Sequence, residues 1–256
     1  MKTLIRWLNV AGLAAVLAVN GLAQWLPING KTTGEISAKY PVLITPAPYA
    51  FSIWSIIYLL LFGFVIYQFK PHAGKSKNVQ NIGPWFIISC LFNVAWILLW
   101  HYEKLTSSVF IMFALLISLI VIYTAIRKDK QPPAPMEQWL VRLPFSIYLG
   151  WICVAAIVNV AVVLYAAEWN GLGLSDAAWT IIMLIAATLL AVVIGFKFVD
   201  PAFVLVFVWS FIAIAVKQDQ QPEVSLSASI AAAILMITAI VIWVQARKGK
   251  QLHIEK

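Results

Sequence analysis

Charged residues are scarce in this chain. Only 11% of its 256 residues are charged, whereas 62% are hydrophobic, and the mean hydropathy is +0.90. Soluble domains carry about 25% charged residues and about half apolar residues. The composition therefore excludes a soluble globular protein and predicts an integral protein of the lipid bilayer.

Cysteine and histidine are also rare, and their positions exclude several kinds of site. Cys90 and Cys153 lie within apolar segments, where a thiol behaves as a small apolar group, so they predict neither a disulfide framework nor a zinc site. His72, His101 and His253 lie in loops or at segment ends, away from other metal ligands. The sequence also lacks a Gly-rich phosphate loop and a nucleophile with a nearby base. We therefore expect no metal, no resident cofactor and no enzyme activity.

Acidic residues are missing from the interior of the apolar segments. All ten carboxylates fall at or beyond segment ends, so the buried proton relay of many ion-coupled transporters is not expected. The formal charge of +8 comes from basic residues clustered at segment ends, not from a basic stripe or domain. This distribution argues against secondary active transport and against nucleic acid as a partner.

Long apolar segments determine the predicted fold. A helix rises about 1.5 Å per residue and the hydrocarbon layer is roughly 30 Å thick, so each of these segments is long enough to cross the membrane or nearly so. They predict an all-α, polytopic membrane helical bundle with about eight transmembrane helices. The segments are residues 5–26, 49–69, 82–101, 105–126, 139–166, 177–196, 201–216 and 225–246.

The basic residues between these segments predict the orientation. Eight spans place both termini and the second, fourth and sixth loops on one side, and that side carries the excess of lysine and arginine that marks cytoplasmic loops. We therefore expect cytoplasmic N- and C-termini, in a bacterial plasma membrane. The fourteen residues on the inner side are Lys2, Arg6, Lys70, Lys75, Lys77, Arg127, Lys128, Lys130, Arg142, Lys197, Arg247, Lys248, Lys250 and Lys256, against Lys31, Lys39, Lys104 and Lys217 on the outer side.

The first apolar segment and the loop after it each allow two interpretations. Lys2 and Arg6 precede an apolar run, and residues 21–23 resemble a signal peptidase site, so the first span is either a transmembrane helix or a cleaved signal peptide. The outer loop of residues 27–48 is rich in Gly, Thr and Pro, and it is either a lid or a flexible connector.

Carboxamide and aromatic side chains recur at one depth, in the central to outer part of four predicted helices. One interpretation is that the amides hold the helices together, since buried polar groups in a membrane bond across helices. The other is that flat rings and a few amides form a slot for a planar, largely apolar ligand. The residues of this layer are Asn20 and Gln24 in the first span, Trp54 and Tyr58 in the second, Asn93, Trp96 and Trp100 in the third, and Tyr148, Trp151, Ala155 and Asn159 in the fifth.

Three short motifs in this layer carry a family resemblance. They are the proline-rich start of the second span, Pro46 and Pro48 followed by Trp54 and Tyr58; the Asn-x-x-Trp of residues 93–96; and the Tyr-Leu-x-Trp pattern at residues 148–151, followed by Ala155 and Asn159. In order and spacing they resemble the translocator protein family, also called TspO/MBR or tryptophan-rich sensory proteins.

The resemblance implies a fold, a ligand and a set of site residues. It covers roughly residues 1–167 and implies a five-helix bundle that binds porphyrins and other planar hydrophobic ligands, in a cavity closed by the loop after the first helix. A homodimer is a further expectation from the family. The residues that would line or brace the cavity are Trp54, Asn93, Trp96, Trp151, Ala155 and Asn159, with Tyr58 and Tyr148 on the same faces and Asn20, Gln24, Pro46 and Pro48 in support.

Two departures from the family pattern limit what carries over. Phe51-Ser52-Ile53 stands where the family commonly has Gly-Pro before the tryptophan, and residues 168–256 add three further spans and a basic tail. We therefore expect a TspO-like domain in residues 1–167, three additional helices after it, and a membrane sensor or receptor for a planar hydrophobic ligand such as a tetrapyrrole. A facilitative transporter of such ligands and a membrane scaffold are the alternatives.

Overall fold

The computed structural model describes residues 3–26, 28–128 and 133–254, without the side chains of 74, 75 and 248–254. In this part of the chain the regular secondary structure is helical, with no strand. Six helices are long and apolar enough to cross a membrane, and the shorter Trp85–His101 and Pro201–Lys217 are also apolar. The predicted all-α polytopic membrane bundle is confirmed, since these helices coincide with the eight predicted spans.

The helices are numbered here in chain order. They are α1 (Thr3–Trp25), α2 (Thr33–Lys39), α3 (Ile53–Tyr67), α4 (Pro71–Lys75), α5 (Lys77–Ile82), α6 (Trp85–His101), α7 (Leu105–Ala125), α8 (Pro135–Glu137), α9 (Leu143–Ala166), α10 (Asp176–Phe198), α11 (Pro201–Lys217) and α12 (Pro222–Ile254).

The second span begins differently from the sequence prediction of a membrane helix from Tyr49. Residues Pro48–Ser52 form a three-ten turn, and the α-helix starts only at Ile53. Proline has no backbone N–H to donate and is tolerated in a first helical turn, and three-ten turns are frequent at helix starts. The tight turn therefore precedes Trp54 by two residues.

The chain divides into two compact units. The first comprises Met1–Pro41 and Phe51–Ala166, and the second comprises Val42–Ala50 and Ala167–Lys256. Sequence reasoning did not anticipate that the segment Val42–Ala50 groups with the C-terminal helices, because nothing in its composition indicates where its contacts lie.

The first unit is built around a buried aromatic group and a close helix pair. The rings of Phe64, Phe86 and Phe145, on α3, α6 and α9, pack edge to face with centroids 5.2 to 6.0 Å apart. A Cβ added to Gly12 of α1 would lie 3.2 Å from the Cβ of Cys90, so the missing side chain permits α1 to approach α6. This packing fixes the faces of α1, α3, α6 and α9 that carry the predicted site.

In the second unit the helices α10, α11 and α12 pack closely against one another. The rings of Phe203, Phe207 and Phe211 form a buried ladder along α11. A Cβ added to Gly195 of α10 would lie 3.0 Å from the Cδ1 of Ile242 on α12, so the backbone of α10 reaches the neighbouring helix directly. The α10–α11 hairpin is tight, because Asp200 caps α11 by accepting a hydrogen bond from the Phe203 N–H.

Candidate functional site

Five aromatic side chains from the three-ten turn, α3 and α9 meet in the first unit. We call them the aromatic cluster: Phe51, Trp54, Tyr58, Tyr148 and Trp151. Trp54 is at its centre, stacked on Tyr58 at 5.3 Å between ring centroids and edge to face with Tyr148 at 5.9 Å and Trp151 at 6.3 Å. Phe51 contacts Trp151 at 5.9 Å. Helical spacing explains the arrangement, because Trp54 and Tyr58 lie four residues apart on α3 and Tyr148 and Trp151 three apart on α9.

Two polar groups of this cluster are buried without a hydrogen bond among the described residues. The indole N–H of Trp151 has no acceptor, although the residue is only 2% exposed. The Tyr58 hydroxyl makes no hydrogen bond of ordinary geometry, with the Asn93 side chain as a polar neighbour. A buried tryptophan usually finds a partner for its N–H. The aromatic cluster thus contains a buried indole N–H that has no acceptor among the described residues.

A carboxamide network joins α1, α6 and α9 beside this cluster. The Asn20 amide donates to the Asn93 Oδ1 at 2.9 Å, and the Asn93 amide donates to the Tyr148 hydroxyl at 3.0 Å. Asn93 is fully buried. Because one end of the network is the Tyr148 hydroxyl, these bonds hold a ring of the aromatic cluster in place.

A second network joins α6, α7 and α9. The Trp96 indole donates to the Asn159 Oδ1 at 3.0 Å, and the Asn159 amide donates to the Ser108 hydroxyl at 3.0 Å. Trp96 also stacks on Trp100 at 5.7 Å. Sequence reasoning missed Ser108 and gave Phe51 no role in the site. The available signal for Ser108 was a hydroxyl residue in the first turn of an otherwise apolar helix.

The other predicted site residues lie apart from these contacts. Ala155 is half-buried, one helical turn after Trp151. Gln24 is exposed near the end of α1. Pro46 is buried and Pro48 is exposed, and both belong to the segment Val42–Ala50 of the second unit.

The loop after α1 is a folded part of the first unit up to Pro41. Thr32 and Glu35 form a capping box that starts α2, and the Thr33 hydroxyl lies 3.0 Å from His101 Nε2 at the end of α6. The Asn29 amide donates to the His101 carbonyl at 3.0 Å. These bonds attach residues 29 and 33 of the loop to the end of α6.

Charge interactions hold the same loop at the turn between α6 and α7. Glu103 in this turn accepts hydrogen bonds from Lys39, from Lys31 at 3.4 Å and from the Tyr40 hydroxyl at 3.0 Å. The pKa of Glu103 is lowered to about 2, chiefly by the hydrogen bond from Lys39 and then by the one from Tyr40. The carboxylate is therefore ionised throughout the neutral range.

The aromatic cluster is built of flat rings with few polar atoms. It offers flat rings, a phenol and an indole N–H, and its own five residues carry no charge. Among the described residues no group of three or more His, Cys, Asp or Glu side chains is placed to hold a metal ion. Rings of this kind bind a flat apolar surface by stacking, and the N–H can bind one acceptor on it.

Fold and site together define a polytopic membrane protein with an aromatic site braced by interhelical amides. A family model described as TSPO-like protein matches residues 6–241, and the chain belongs to this family. The match covers α10 and α11 and extends into α12, so it includes the additional C-terminal helices as well as residues 6–167. No curated protein and no solved structure matches the chain.

Proposed function

We propose that this protein is a membrane receptor or sensor that binds a planar, largely apolar ligand at the aromatic cluster, with porphyrins and other tetrapyrroles as the ligand class. Membership of the TSPO-like family supports a TspO-like membrane role. The geometry supports the ligand class, because the Trp54 ring stacks on Tyr58 and meets the Tyr148 and Trp151 rings edge to face, all within 6.3 Å. A tetrapyrrole offers both a flat apolar surface and polar edge groups.

The observation that carries the proposal is the unused donor of Trp151. Leaving a buried N–H without an acceptor costs roughly 1 to 3 kcal/mol. The adjacent amides are bonded to one another or to Tyr148, whereas this N–H is not bonded within the described residues. A carboxylate or carbonyl on the rim of a bound ligand would satisfy it.

The proposed role is binding, not catalysis. The polar groups beside the rings are the amides of Asn20 and Asn93 and the hydroxyl of Tyr148, and none of them is an imidazole, a carboxylate or an amine. General acid–base catalysis needs a group whose pKa lies near the working pH. The aromatic cluster holds neither a histidine nor a carboxylate.

The test is a titration of the purified protein with protoporphyrin IX, followed by the porphyrin absorption band. Trp151→Phe keeps a ring and removes the N–H, so we expect Kd to rise about 3- to 10-fold, the equivalent of one hydrogen bond. Trp151→Ala also removes the ring and should weaken binding further. Trp139→Phe is the matched control, because Trp139 is 65% exposed and outside the cluster.

Three outcomes would contradict the proposal. The first is a wild-type titration that does not saturate, and the second is an equal change in Trp151→Phe and Trp139→Phe. The third concerns ligand shape: a puckered sterol that binds as tightly as the flat porphyrin would show that the rings do not select for planarity.

A further inference from the structure

The segment Val42–Ala50 is held by three hydrogen bonds to α11 and to Gln218, the residue that follows its last turn. The Gln218 side-chain amide donates to the Leu43 carbonyl at 2.9 Å, and the Ala47 N–H donates to the Ala213 carbonyl at 3.0 Å. The Trp209 indole N–H donates to the Ala50 carbonyl at 3.1 Å. The contacts therefore run along the whole segment, from its second residue to its last.

Burial and ring packing complete this interaction. Ile44, Thr45, Ala47 and Ala50 are each at most 6% exposed. The Tyr49 ring packs edge to face on Trp209 at 5.4 Å. Apart from the three-ten turn at its end the segment has no regular secondary structure, so its backbone polar groups need partners elsewhere. The C-terminal half of α11 supplies them.

The segment is continuous with the first residue of the aromatic cluster. It ends at Ala50, the next residue is Phe51, and Trp54 follows three residues later. The freedom of the chain before Phe51 is thus limited by bonds that α11 makes. Two of the three bonds come from side-chain donors, Trp209 and Gln218, and the Trp209 side chain is 37% exposed.

We propose that α11, braced by α10 and α12, is an intramolecular receptor for the segment Val42–Ala50, and that release of the segment permits ligand exchange at the aromatic cluster. The three C-terminal helices thereby acquire a role: they hold the chain that starts α3. The part of this inference that concerns ligand exchange rests on the proposed function, whereas the part that concerns the segment does not.

The first experiment measures release of the segment without any ligand. Thr45→Cys introduces a thiol at a position that is 2% exposed, in a background of Cys90→Ala and Cys153→Ala, and a polar maleimide reports how often it opens. Trp209→Phe keeps the ring against Tyr49 and removes one bond, so labelling should accelerate about 3- to 10-fold. Gln218→Met should act similarly, and the double variant more strongly.

Matched controls separate this effect from general loosening of the second unit. Trp179→Phe also removes an indole N–H bonded to a backbone carbonyl, that of Gly171 at 2.6 Å, and Gln220→Met removes an exposed amide. Both should leave the labelling rate unchanged. Unchanged labelling in Trp209→Phe and Gln218→Met, or equal acceleration in the controls, would overturn the proposal.

The second experiment measures protoporphyrin IX exchange by stopped flow. Trp209→Phe should raise the association and dissociation rates together, about 3- to 10-fold, with a smaller change in Kd, because the bond it removes is not to the ligand. If Trp209→Phe accelerates maleimide labelling but leaves the porphyrin association and dissociation rates unchanged, the proposed link between segment release and ligand exchange is wrong. If the wild type binds no porphyrin, the proposed function fails, and the labelling experiment still decides whether α11 holds the segment.

Discussion

At the scale of single residues, the structure separates the amides that bond across helices from an indole N–H that does not. The amides of Asn20, Asn93 and Asn159 bond across helices, as helix-joining amides in a membrane do. The indole N–H of Trp151 has no such bond among the described residues. The amides thus explain how the rings are held, and our proposal assigns the ligand to the rings.

The Asn93 network makes a prediction about stability. Asn93→Leu removes two hydrogen bonds and leaves the Tyr148 hydroxyl buried without its donor, so we expect the free energy of unfolding to fall by about 1 to 3 kcal/mol. Thermal unfolding in detergent measures this. Gln24→Leu replaces an exposed amide of α1 and serves as the control, and an equal loss in both variants would contradict the assignment.

The charge interactions of Glu103 predict how the loop after α1 responds to pH. The folded pKa of Glu103, about 2, is below its ordinary value of 4.5, so ionisation stabilises the folded loop at all pH above 4.5. This contribution is lost as pH falls from 4.5 toward 2. Amide hydrogen exchange of residues 33–39, corrected for its intrinsic pH dependence, should therefore show the same protection at pH 5 and pH 7.

A substitution checks the same prediction at neutral pH. Glu103→Gln should reduce protection of α2, because the bonds from Lys31 and Lys39 lose their charge. Added salt should lower the protection of α2 in the wild type toward that of the variant, since exposed ion pairs are screened. Protection that is equal in the two proteins at low salt would show that Glu103 does not hold the loop.

At the scale of elements, the apolar runs predicted the spanning helices because length and hydropathy depend on local sequence alone. The same local reasoning could not predict the segment Val42–Ala50. Its partner Trp209 lies 159 residues beyond Ala50, and no periodicity in either stretch indicates the other. The three-ten turn at Pro48–Ser52 was also missed, because prolines in a first turn are compatible with either an α-helical or a three-ten start.

In the candidate site, too, local sequence predicted some features and only the tertiary structure revealed the others. Spacings of three and four residues correctly placed Trp54 with Tyr58, and Tyr148 with Trp151, on shared helix faces. Spacing does not give the distance between helices or the direction of an indole N–H. The free donor of Trp151 therefore became visible only in the structure, as did the bond from Asn159 to Ser108.

Close packing in the second unit makes a prediction at this scale. Gly195→Leu inserts a side chain where even a Cβ would lie 3.0 Å from Ile242, so we expect a loss of about 1 to 3 kcal/mol of stability or more. Thermal unfolding reports it. Gly34→Leu is the control, because a Cβ there meets no atom within 4 Å, although leucine differs from glycine in chain entropy at both positions.

At the scale of the whole molecule, the family match gives the C-terminal helices a place in the protein. The TSPO-like model reaches residue 241, so α10 and α11 and most of α12 lie within it. The bonds from α11 to the segment Val42–Ala50 suggest why these helices accompany the first unit. A helix added for bilayer anchoring alone would not need to bind a loop.

The orientation in the membrane is the prediction that concerns the molecule as a whole. Fourteen basic residues on one predicted side and four on the other favour cytoplasmic termini, because positively charged loops resist translocation. One exposed position on each predicted side can report the orientation. Met136→Cys lies in α8, in the predicted inner loop between α7 and α9, and Gln220→Cys lies in the predicted outer loop between α11 and α12. In intact cells an impermeant maleimide should label the thiol from Gln220→Cys, and it should reach the one from Met136→Cys only after lysis. The reverse pattern would invert the topology, and it would place the aromatic cluster and the loop bonded to the end of α6 toward the cytoplasm.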